Sequence, residues 1–335
     1  MTKIKRIGFA CKFSELTPKG IVSVPELNTR TTTAAWLNRQ TKEVAVERLL
    51  DIVKHNVKSV QLLVEKVSTL DEHLRMVRLS SDLLPMFTHR DWSWFYRDAS
   101  VVTLAETALF QAGETARRNK VRLSFHPGQF CVLASSNDNV VKNSIEEFEY
   151  HATMARWMGF GKTFQDFKIN IHISGKAGPS GLLAAYSALS PEARNCITIE
   201  NEEYTHGLED CLSISNVLPV VLDIHHHFIR EGEYIQVGDD RVKRVIDSWR
   251  GVRPTFHYSA SREDVLVGHS RTTLPSLSNL LAEGYKKQKL RAHSDRYWNT
   301  PMNEWALEHL EWGDMMAECK HKNIASFELA RMLKK

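Results

Sequence analysis

The sequence predicts an α/β fold, a TIM (β/α)8 barrel that forms a single domain over residues 1–335. Short apolar runs recur along the chain, each ending abruptly in a polar or charged residue, and helix-like stretches separate several of them. Strands of a closed parallel barrel are buried on both faces and have this nearly continuous apolar character. A length of 335 residues suits one such barrel, although two domains would also be usual at this length.

The predicted elements follow one another in the order of a barrel. The stretch 41–69 has Val46, Leu49, Val53 and Val57 at helical spacing, and 101–119 and 144–158 are also predicted to be helices. The apolar runs that we interpret as the eight strands are 4–11, 74–79, 121–125, 168–171, 197–199, 217–222, 255–256 and 315–317.

Six successive strands end in side chains that can bind metal ions: His126, His172, Glu200, Asp223, His257 and Glu318. Any one of these residues could have a structural role, such as capping a helix. In a barrel, however, the carboxyl ends of the strands meet at one mouth, where such groups would repel one another and raise the pKa values of the carboxyls. Mixed imidazole and carboxylate sets suit Zn²⁺, Mn²⁺ or Fe²⁺. More than four ligands imply two or three ions, with Glu200 bridging.

Three consecutive histidines, His225, His226 and His227, follow Asp223 closely. In a strand or tight loop at most two of them can face the mouth, because alternate residues point to opposite sides. We expect His226 to be the ligand and the other two to support it or to pack. The alternative is a triplet on the surface.

Composition restricts the class of protein. The chain has 15 histidines, five cysteines and a net charge of +4. An odd number of cysteines without a CxxC pair suits a reducing compartment, and no apolar run is long enough to span a bilayer. We therefore expect a cytoplasmic protein without a membrane partner. The mild positive charge permits a local surface that binds phosphates.

The run from His126 to Phe130 reads HPGQF, which resembles the HPGQ-aromatic signature of the UV damage endonuclease family. Further blocks in family order extend the resemblance from about residue 4 to residue 322. They are RLSSDLLP at 78–85, IENE at 199–202, DIHH at 223–226, RAHSD at 291–295 and MAECK at 316–320.

This resemblance implies a barrel related to endonuclease IV, with two or three divalent ions, usually Mn²⁺, and with Zn²⁺, Co²⁺ and Mg²⁺ as alternatives. It implies cleavage of duplex DNA immediately 5′ to cyclobutane pyrimidine dimers, 6-4 photoproducts and abasic sites. By motif, the first ion would be held by His126, His172 and Glu200, the second by Glu200, Asp223, His257 and Glu318, and the third by His226 and His293. The catalytic set would be Glu200, Asp223, His257 and His89, with the role of His89 open between ligand and phosphate contact.

The family inserts a glutamine–aromatic pair into the duplex opposite the lesion, and here that pair is Gln129 and Phe130. Three positions depart from the family pattern. Phe130 and Phe9 replace tyrosines, which preserves stacking but removes a hydroxyl contact. Thr255 stands where family members can have a modified lysine near the metals, so that either the modification is dispensable or the substrate preference differs.

Further residues are candidates for contacts with DNA. Lys286, Lys287, Lys289 and Arg291 lie just before His293 and could bind the phosphate backbone, although alone such a stretch could be a solvated helix face. The other candidates are Trp92 and Trp94, which could line the lesion pocket or simply pack, and Arg262 as a phosphate contact.

Two other functions are compatible with parts of the sequence. A sugar isomerase similar to xylose isomerase would also gather Glu, His and Asp around two metals, but it would leave the glutamine–aromatic pair without a task. A damage-binding module with structural metals would need closed sites, whereas these ligands lie at open strand ends. We expect a monomeric nuclease that acts on damaged double-stranded DNA.

Overall fold

Eight parallel strands form the barrel in this computed structural model, which describes residues 4–334. The strands are β1 Ile7–Ala10, β4 Met76–Arg78, β5 Arg122–Phe125, β6 Lys168–His172, β7 Ile197–Glu200, β8 Val220–Val221, β9 Thr255–Tyr258 and β10 Asp314–Ala317, and a separate hairpin consists of β2 Ser14–Thr17 and β3 Gly20–Ser23. Their order around the sheet is β8-β7-β6-β5-β4-β1-β10-β9. The barrel closes between β9 and β8, since the His257 N–H donates to the Leu222 carbonyl over 3.0 Å, and Asp223 forms a parallel bridge with His257.

Helices surround these strands. The described helices are α1 Ala34–Leu37, α2 Lys42–Ser68, α3 Ala99–Arg118, α4 Asp138–Trp157, α5 Gly178–Ala188, α6 Pro191–Cys196, α7 Leu208–Leu212, α8 Ile224–Glu231, α9 Asp240–Ser248, α10 Leu277–Ala282, α11 Lys287–Leu290, α12 Thr300–Glu308 and α13 Lys322–Ala330. The fold prediction is confirmed, although the boundaries of the strands and helices differ from the predicted ones. Each of the eight predicted strands is present, and the three predicted helices are α2, α3 and α4. The hairpin β2–β3 and the shorter helices were not predicted.

The helix α2 shows how the sequence specifies these elements. Its N-cap Thr41 accepts a hydrogen bond from the Val44 N–H, which satisfies one of the free donors of the first turn. Leu49, Val53 and Val60 are buried on one face and join the main hydrophobic core between the barrel and its helices. Burial of this apolar stripe, more than helix propensity, stabilises such a helix.

The amino-terminal end of the barrel is closed by a buried ionic cluster. The carboxylate of Asp314 is fully buried and accepts hydrogen bonds from Arg122 Nη1 at 2.7 Å, Arg253 Nε at 2.8 Å and the Arg6 N–H at 3.0 Å. These partners satisfy both carboxylate oxygens, and the arginines hold the pKa of Asp314 low against the effect of burial. The opposite end, where the strands have their carboxyl termini, is the mouth of the barrel.

No helix of the described residues is long and apolar enough to cross a membrane. Residues 1–3 and 335 lie outside the described residues. That residues 1–335 form one domain stays a prediction.

Candidate metal centre

The barrel mouth brings together the side chains that end six successive strands. His126, His172 and Glu200 offer ligand atoms that all lie within 4.8 Å of one another. A second group with the same spacing consists of Glu200, Asp223, His257 and Glu318. Glu200 belongs to both groups, so that one carboxylate stands between two candidate ion sites. These are the same two sets that the sequence motifs gave.

Glu200 is held in place from several directions. Its Oε2 atom lies 3.0 Å from His257 Nδ1 and 3.4 Å from His126 Nε2. It also accepts a short hydrogen bond from Asn170 Nδ2, and Asn170 in turn accepts one from the Thr198 hydroxyl over 2.7 Å. Burial raises the pKa of Glu200, but the facing imidazoles outweigh burial and hold this pKa well below its usual value. The carboxyl is therefore ionised and oriented.

Three of the mouth histidines place the same ring nitrogen, Nδ1, next to a backbone carbonyl oxygen. His126 Nδ1 lies 3.0 Å from the Pro127 carbonyl oxygen. His226 Nδ1 lies 3.0 Å from the Asn201 carbonyl oxygen, and His293 Nδ1 lies 3.1 Å from the Glu318 carbonyl oxygen. A carbonyl oxygen only accepts, so Nδ1 carries the proton in each case. Burial lowers the pKa of His126 and of His293, so their Nε2 atoms are left with a lone pair for an ion, which is the usual arrangement of histidine ligands. In His226 the carboxylates of Asp223 and Glu200 outweigh burial and raise the pKa to about 10, so an ion would have to displace the proton on Nε2.

His257 has the opposite orientation. Its Nδ1 atom faces the carboxylates of Glu200, at 3.0 Å, and Glu318, at 3.5 Å. Its Nε2 atom lies 2.9 Å from the Nζ atom of Lys168. Both side chains are buried, and burial lowers the pKa of His257 to about 4 and that of Lys168 to about 7. His257 therefore directs Nδ1 to the candidate ion site.

Sequence analysis missed Lys168, although a signal was present. Residues 168, 170 and 172 of β6 share one face of the strand, because side chains alternate. His172 and Asn170 on that face point to the candidate ion sites, so counting back by two places Lys168 inside the barrel. A lysine at that position, at the start of an apolar run, therefore indicates that polar side chains lie inside the barrel.

Two carboxylate oxygens at the mouth are buried without a hydrogen-bond partner among the described residues, Glu200 Oε1 and Asp223 Oδ2. Asp223 Oδ1, in contrast, caps α8 by accepting the N–H groups of His225 and His226, both at 2.7 Å. Burial, with the neighbouring carboxylates, raises the pKa of Asp223 to about 7. Buried polar atoms normally have partners, and a divalent cation would satisfy both oxygens. The donor set of imidazoles and carboxylates thus fits divalent ions.

The histidine triplet lies in the first turn of α8, so the expectation of a strand or tight loop was wrong. Asp223 is the N-cap of this helix, which turns the chain at the strand end. The alternative of a surface triplet is also wrong, since all three side chains are buried. His226 faces the mouth, with Nδ1 3.4 Å from Glu200 Oε1. His227 bonds instead to Glu233 at 2.8 Å.

The remaining predicted site histidines belong to neither of the two groups, although His226 lies next to Glu200. The ring centroids of His226 and His293 are 6.3 Å apart, and the third ion at this pair stays a prediction. His89 lies on the loop after β4, where its Nδ1 atom is 3.2 Å from the Asp91 N–H. Its role stays open. The hydroxyl of Thr255 is buried in β9 without a hydrogen-bond partner among the described residues.

A cavity of about 760 Å³ opens above the metal-ligand groups. Its lining combines His172, His226 and His293 with Gln129 and Arg262, and also includes Lys289 and Arg291. Phe130, next to Gln129, is 86% exposed. Gln129 of the predicted glutamine–aromatic pair and part of the predicted basic surface therefore line the same cavity.

Some side chains of the basic stretch are exposed to solvent, and others contact the protein. Lys286, Lys289 and Arg291 are exposed, whereas the Lys287 ammonium donates to the Arg230 carbonyl over 3.0 Å. Arg262 forms a short ion pair with Asp264.

Two predicted DNA contacts are core residues instead. Phe9 is fully buried, with its ring 5.8 Å from that of Phe13 and 6.2 Å from that of Phe327. Trp92 is buried as well, and its indole N–H donates to Asn38 Oδ1 over 2.8 Å. Both predictions were wrong, because packing of the surrounding helices covers these rings. Trp94 is 37% exposed at the surface.

Comparison with known proteins gives consistent results. The profile of a family described as UV-endonuclease UvdE matches residues 5–335. A UV-damage endonuclease of Schizosaccharomyces pombe is 27% identical over 303 residues, which are 87% of this chain and 44% of the yeast protein. This chain thus spans less than half the length of that relative.

Two solved structures share the fold. The crystal structure of SacUVDE superposes with a TM-score of 0.71 at 22% identity, covering 98% of both chains. Endonuclease IV from Thermus thermophilus superposes with a TM-score of 0.50 at 13% identity, covering 82% of this chain and 93% of that one. The expected relation of the barrel to endonuclease IV is confirmed at the level of the fold.

Proposed function

The chain belongs to the UV-endonuclease UvdE family, and we propose that it is a metal-dependent DNA repair endonuclease. It would cut damaged duplex DNA immediately 5′ to cyclobutane pyrimidine dimers, 6-4 photoproducts and abasic sites. One observation carries the proposal most strongly. Two buried, unpartnered carboxylate oxygens, Glu200 Oε1 and Asp223 Oδ2, lie among imidazoles beneath a cavity that cationic side chains line.

The residues at the mouth would hold two or three ions, with Mn²⁺ as the proposed native metal. His126, His172 and Glu200 would hold one, Glu200, Asp223, His257 and Glu318 a second, and His226 and His293 a third. When bound, such ions supply Lewis acidity toward the phosphate and lower the pKa of water.

The chain's own residues would prepare the site for this chemistry. Glu200 is ionised and held between the two candidate ion sites, and hydrogen bonds to carbonyls place a proton on Nδ1 of three histidines. Arg78 donates a short hydrogen bond to Glu318, and this guanidinium, with nearby imidazoles, lowers the pKa of Glu318 against burial. Glu200 and Glu318 are therefore ionised, and the ligands are oriented, before an ion arrives, which reduces the reorganisation that binding requires. Asp223 and His226, whose pKa values are raised to about 7 and about 10, would release protons when an ion binds.

The rim of the mouth would handle the duplex. Phe130 can insert between bases as an apolar wedge, with Gln129 beside it filling the gap that displaced nucleotides leave. Lys289 and Arg291 would neutralise phosphates on the same side as the ligands. A photoproduct stacks and pairs poorly, so it is extruded more easily than an intact dinucleotide.

These features favour the nuclease over the two alternatives from the sequence. An isomerase of small sugars would have no use for an exposed ring at Phe130 or for cations along the cavity. A structural metal site would be closed by protein ligands, whereas this one opens into a cavity of about 760 Å³. We also propose a cytoplasmic monomer, since the five cysteines are unpaired and an open mouth suits engagement of duplex DNA.

The test is an incision assay. The purified protein with Mn²⁺ is incubated with a duplex carrying one cyclobutane dimer, and the nick is mapped on a sequencing gel. We expect one nick at the 5′ side of the dimer, lost in Glu200→Ala and retained in Glu311→Ala, an exposed carboxylate near the closed end of the barrel. Mn²⁺ should raise the melting temperature of the wild type but not of Glu200→Ala. Ketose formation from xylose without nicking, or binding without nicking, would refute the proposal.

A further inference from the structure

The exposed apolar side chains of the described residues are concentrated at the mouth of the barrel. Most of them lie on loops that follow the carboxyl ends of barrel strands, whereas the others lie on helices or at the end of the chain. Phe130 and Val267 are the two most exposed, at 86% and 78%. The members on these connections, with the hairpin β2–β3 after β1 counted as one of them, are Leu16, Val22, Trp94, Phe130, Tyr204, Val267 and Leu274.

Phe130 and Val267 stand on opposite sides of the mouth. Phe130 follows β5 and Val267 follows β9. These strands are four positions apart in either direction around the eight-stranded barrel. The cavity over the metal-ligand groups lies between them, because Gln129 lines it from the β5 side and Arg262 and Val265 line it from the β9 side. A duplex lying across the mouth would therefore meet both residues.

The loop that presents Val267 is anchored at both ends. The Trp298 indole donates to the Ser261 carbonyl over 2.8 Å, and Asn299 Nδ2 donates to the Thr273 carbonyl over 2.8 Å. Ser261 also forms an antiparallel bridge with His293. The loop is thus joined to a predicted metal ligand and to the basic stretch before it.

Within this loop, neighbouring residues leave Val267 no place in the core. Leu266 is buried in a hydrophobic cluster with Phe228, Leu290 and Trp298. Gly268 has a φ of +81°, a left-handed conformation that glycine adopts without strain and that reverses the chain directly after the valine. An apolar side chain held outward on an anchored loop loses little conformational entropy when it binds. More of the free energy gained by burying the side chain therefore contributes to affinity.

The surroundings of Val267 indicate the kind of partner. Arg262 on the same loop and Arg291 and Lys289 across the bridge line the cavity together with Glu202 and Glu203. Arg262 is paired with Asp264, whereas Lys289 and Arg291 are exposed, and these two cations match the phosphates of a nucleic acid. Isolated exposed apolar residues are common on protein surfaces, so the exposure of Val267 alone does not indicate a partner. A short aliphatic side chain beside cations has the character of a wedge between base steps.

We propose that the loop 261–273 is a second probing loop, in which Val267 contacts the distorted duplex on the side opposite Gln129 and Phe130. This inference rests on the proposed function. Two wedges on opposite sides of one cavity would hold the duplex unstacked on both flanks of the lesion. Recognition of damage would then depend on both loops, and loss of either one would weaken binding to damaged DNA more than binding to intact DNA.

Val267→Ser tests the inference, with Val267→Ile as the conservative variant and Leu333→Ser as a matched control for an exposed aliphatic side chain at the chain's end. Binding to a duplex with one cyclobutane dimer is measured by fluorescence anisotropy in EDTA, which keeps the DNA uncut. A 2-aminopurine beside the lesion reports unstacking. We expect Val267→Ser to bind roughly fivefold to tenfold more weakly and to lose most of the 2-aminopurine signal. Val267→Ile and Leu333→Ser should behave as the wild type.

Equal binding and equal 2-aminopurine signal in Val267→Ser and the wild type would overturn the inference. If the wild type still incises the dimer with Mn²⁺ in that case, the proposed function stands and only the second loop is wrong. If the wild type neither binds nor incises the damaged duplex, both proposals fail. A weakening of the same size for dimer-containing and intact duplexes would also overturn the inference, because Val267 would then contact DNA without probing the lesion.

Discussion

Lys168 lies inside the barrel beneath the metal-ligand groups, where its Nζ atom contacts His257 Nε2 at 2.9 Å. The side chain is buried, and burial lowers its pKa from 10.5 to about 7, although Glu200 partly compensates. Methionine has a similar length and shape but carries no charge. Lys168→Met therefore removes the electrostatic penalty while leaving the interior filled.

The size of the effect follows from the two pKa values of Lys168. Between about pH 7 and pH 10.5 the unfolded chain keeps the lysine proton and the native chain releases it. Because the unfolded state binds more protons, the free energy of unfolding rises with pH in this window. At 1.36 kcal/mol per pKa unit, the penalty on the native state is about 4 kcal/mol at pH 7 and about 1 kcal/mol at pH 9.5.

Urea unfolding of the EDTA-treated protein, followed by circular dichroism, measures this prediction. Lys168→Met should be more stable than the wild type by about 4 kcal/mol at pH 7 and by about 1 kcal/mol at pH 9.5. Thr255→Val is the control, because it removes a buried hydroxyl that does not titrate in this range. Its effect on the free energy of unfolding should be the same at both pH values. A gain of Lys168→Met that does not change with pH would refute the reasoning.

The same substitution should weaken Mn²⁺ binding, measured by isothermal titration calorimetry. His257 would lose the partner of Nε2 that fixes its ring, and loss of such a partner typically lowers metal affinity roughly 10-fold to 100-fold. We therefore expect Lys168 to destabilise the fold and to orient a metal ligand. If Lys168→Met binds Mn²⁺ as tightly as the wild type, the lysine has no such positioning role.

The other predictions concern the closed end and the rim. Asp314→Asn should lower the free energy of unfolding by about 3–5 kcal/mol, because three arginines would keep their charge without a buried counterion. Urea unfolding measures this change, and a decrease below about 1 kcal/mol would contradict the prediction. Gln129→Ala combined with Phe130→Ala should impair incision beside the dimer while the metal content, measured by plasma mass spectrometry, stays at the wild-type level. Equal loss of metal in that double variant would show that the pair supports the metal centre instead of the DNA.

The fold and the ligand groups could be predicted because both depend on local patterns. Parallel strands have their carboxyl ends at the same edge, so residues that end successive apolar runs must meet, whatever the details of packing. His126, Glu200 and Glu318 were found in this way. Strand boundaries were less certain: β8 has two residues, Val220–Val221, where the apolar run extends over 217–222.

The failures have more than one physical cause. Phe9 and Trp92 look like available rings in sequence, but their burial depends on helices and loops that are distant in the chain. The histidine triplet was placed in a strand or loop because α8 has no long apolar period, and its start depends on the Asp223 cap. Lys168 was overlooked because a charge at the beginning of an apolar run resembles a strand boundary. Tertiary burial, which single-sequence patterns do not encode, decided the cases of Phe9 and Trp92, whereas the histidine triplet and Lys168 had local signals that were not used.

Both ends of the barrel contain buried carboxylates, but the oxygens of these carboxylates have different partners at the two ends. At the closed end, Asp314 has every oxygen paired with arginine or backbone donors, and positive charge exceeds negative charge. At the mouth, Glu200 and Asp223 each retain a buried oxygen without a donor among the described residues, although Arg78 and Lys168 are close enough to influence the cluster. Each unpaired buried acceptor destabilises the fold, and among the described residues these two are the buried carboxylate oxygens that lack a hydrogen-bond partner. They therefore support the proposal that cations bind at the mouth, independently of the strand motifs that first indicated it.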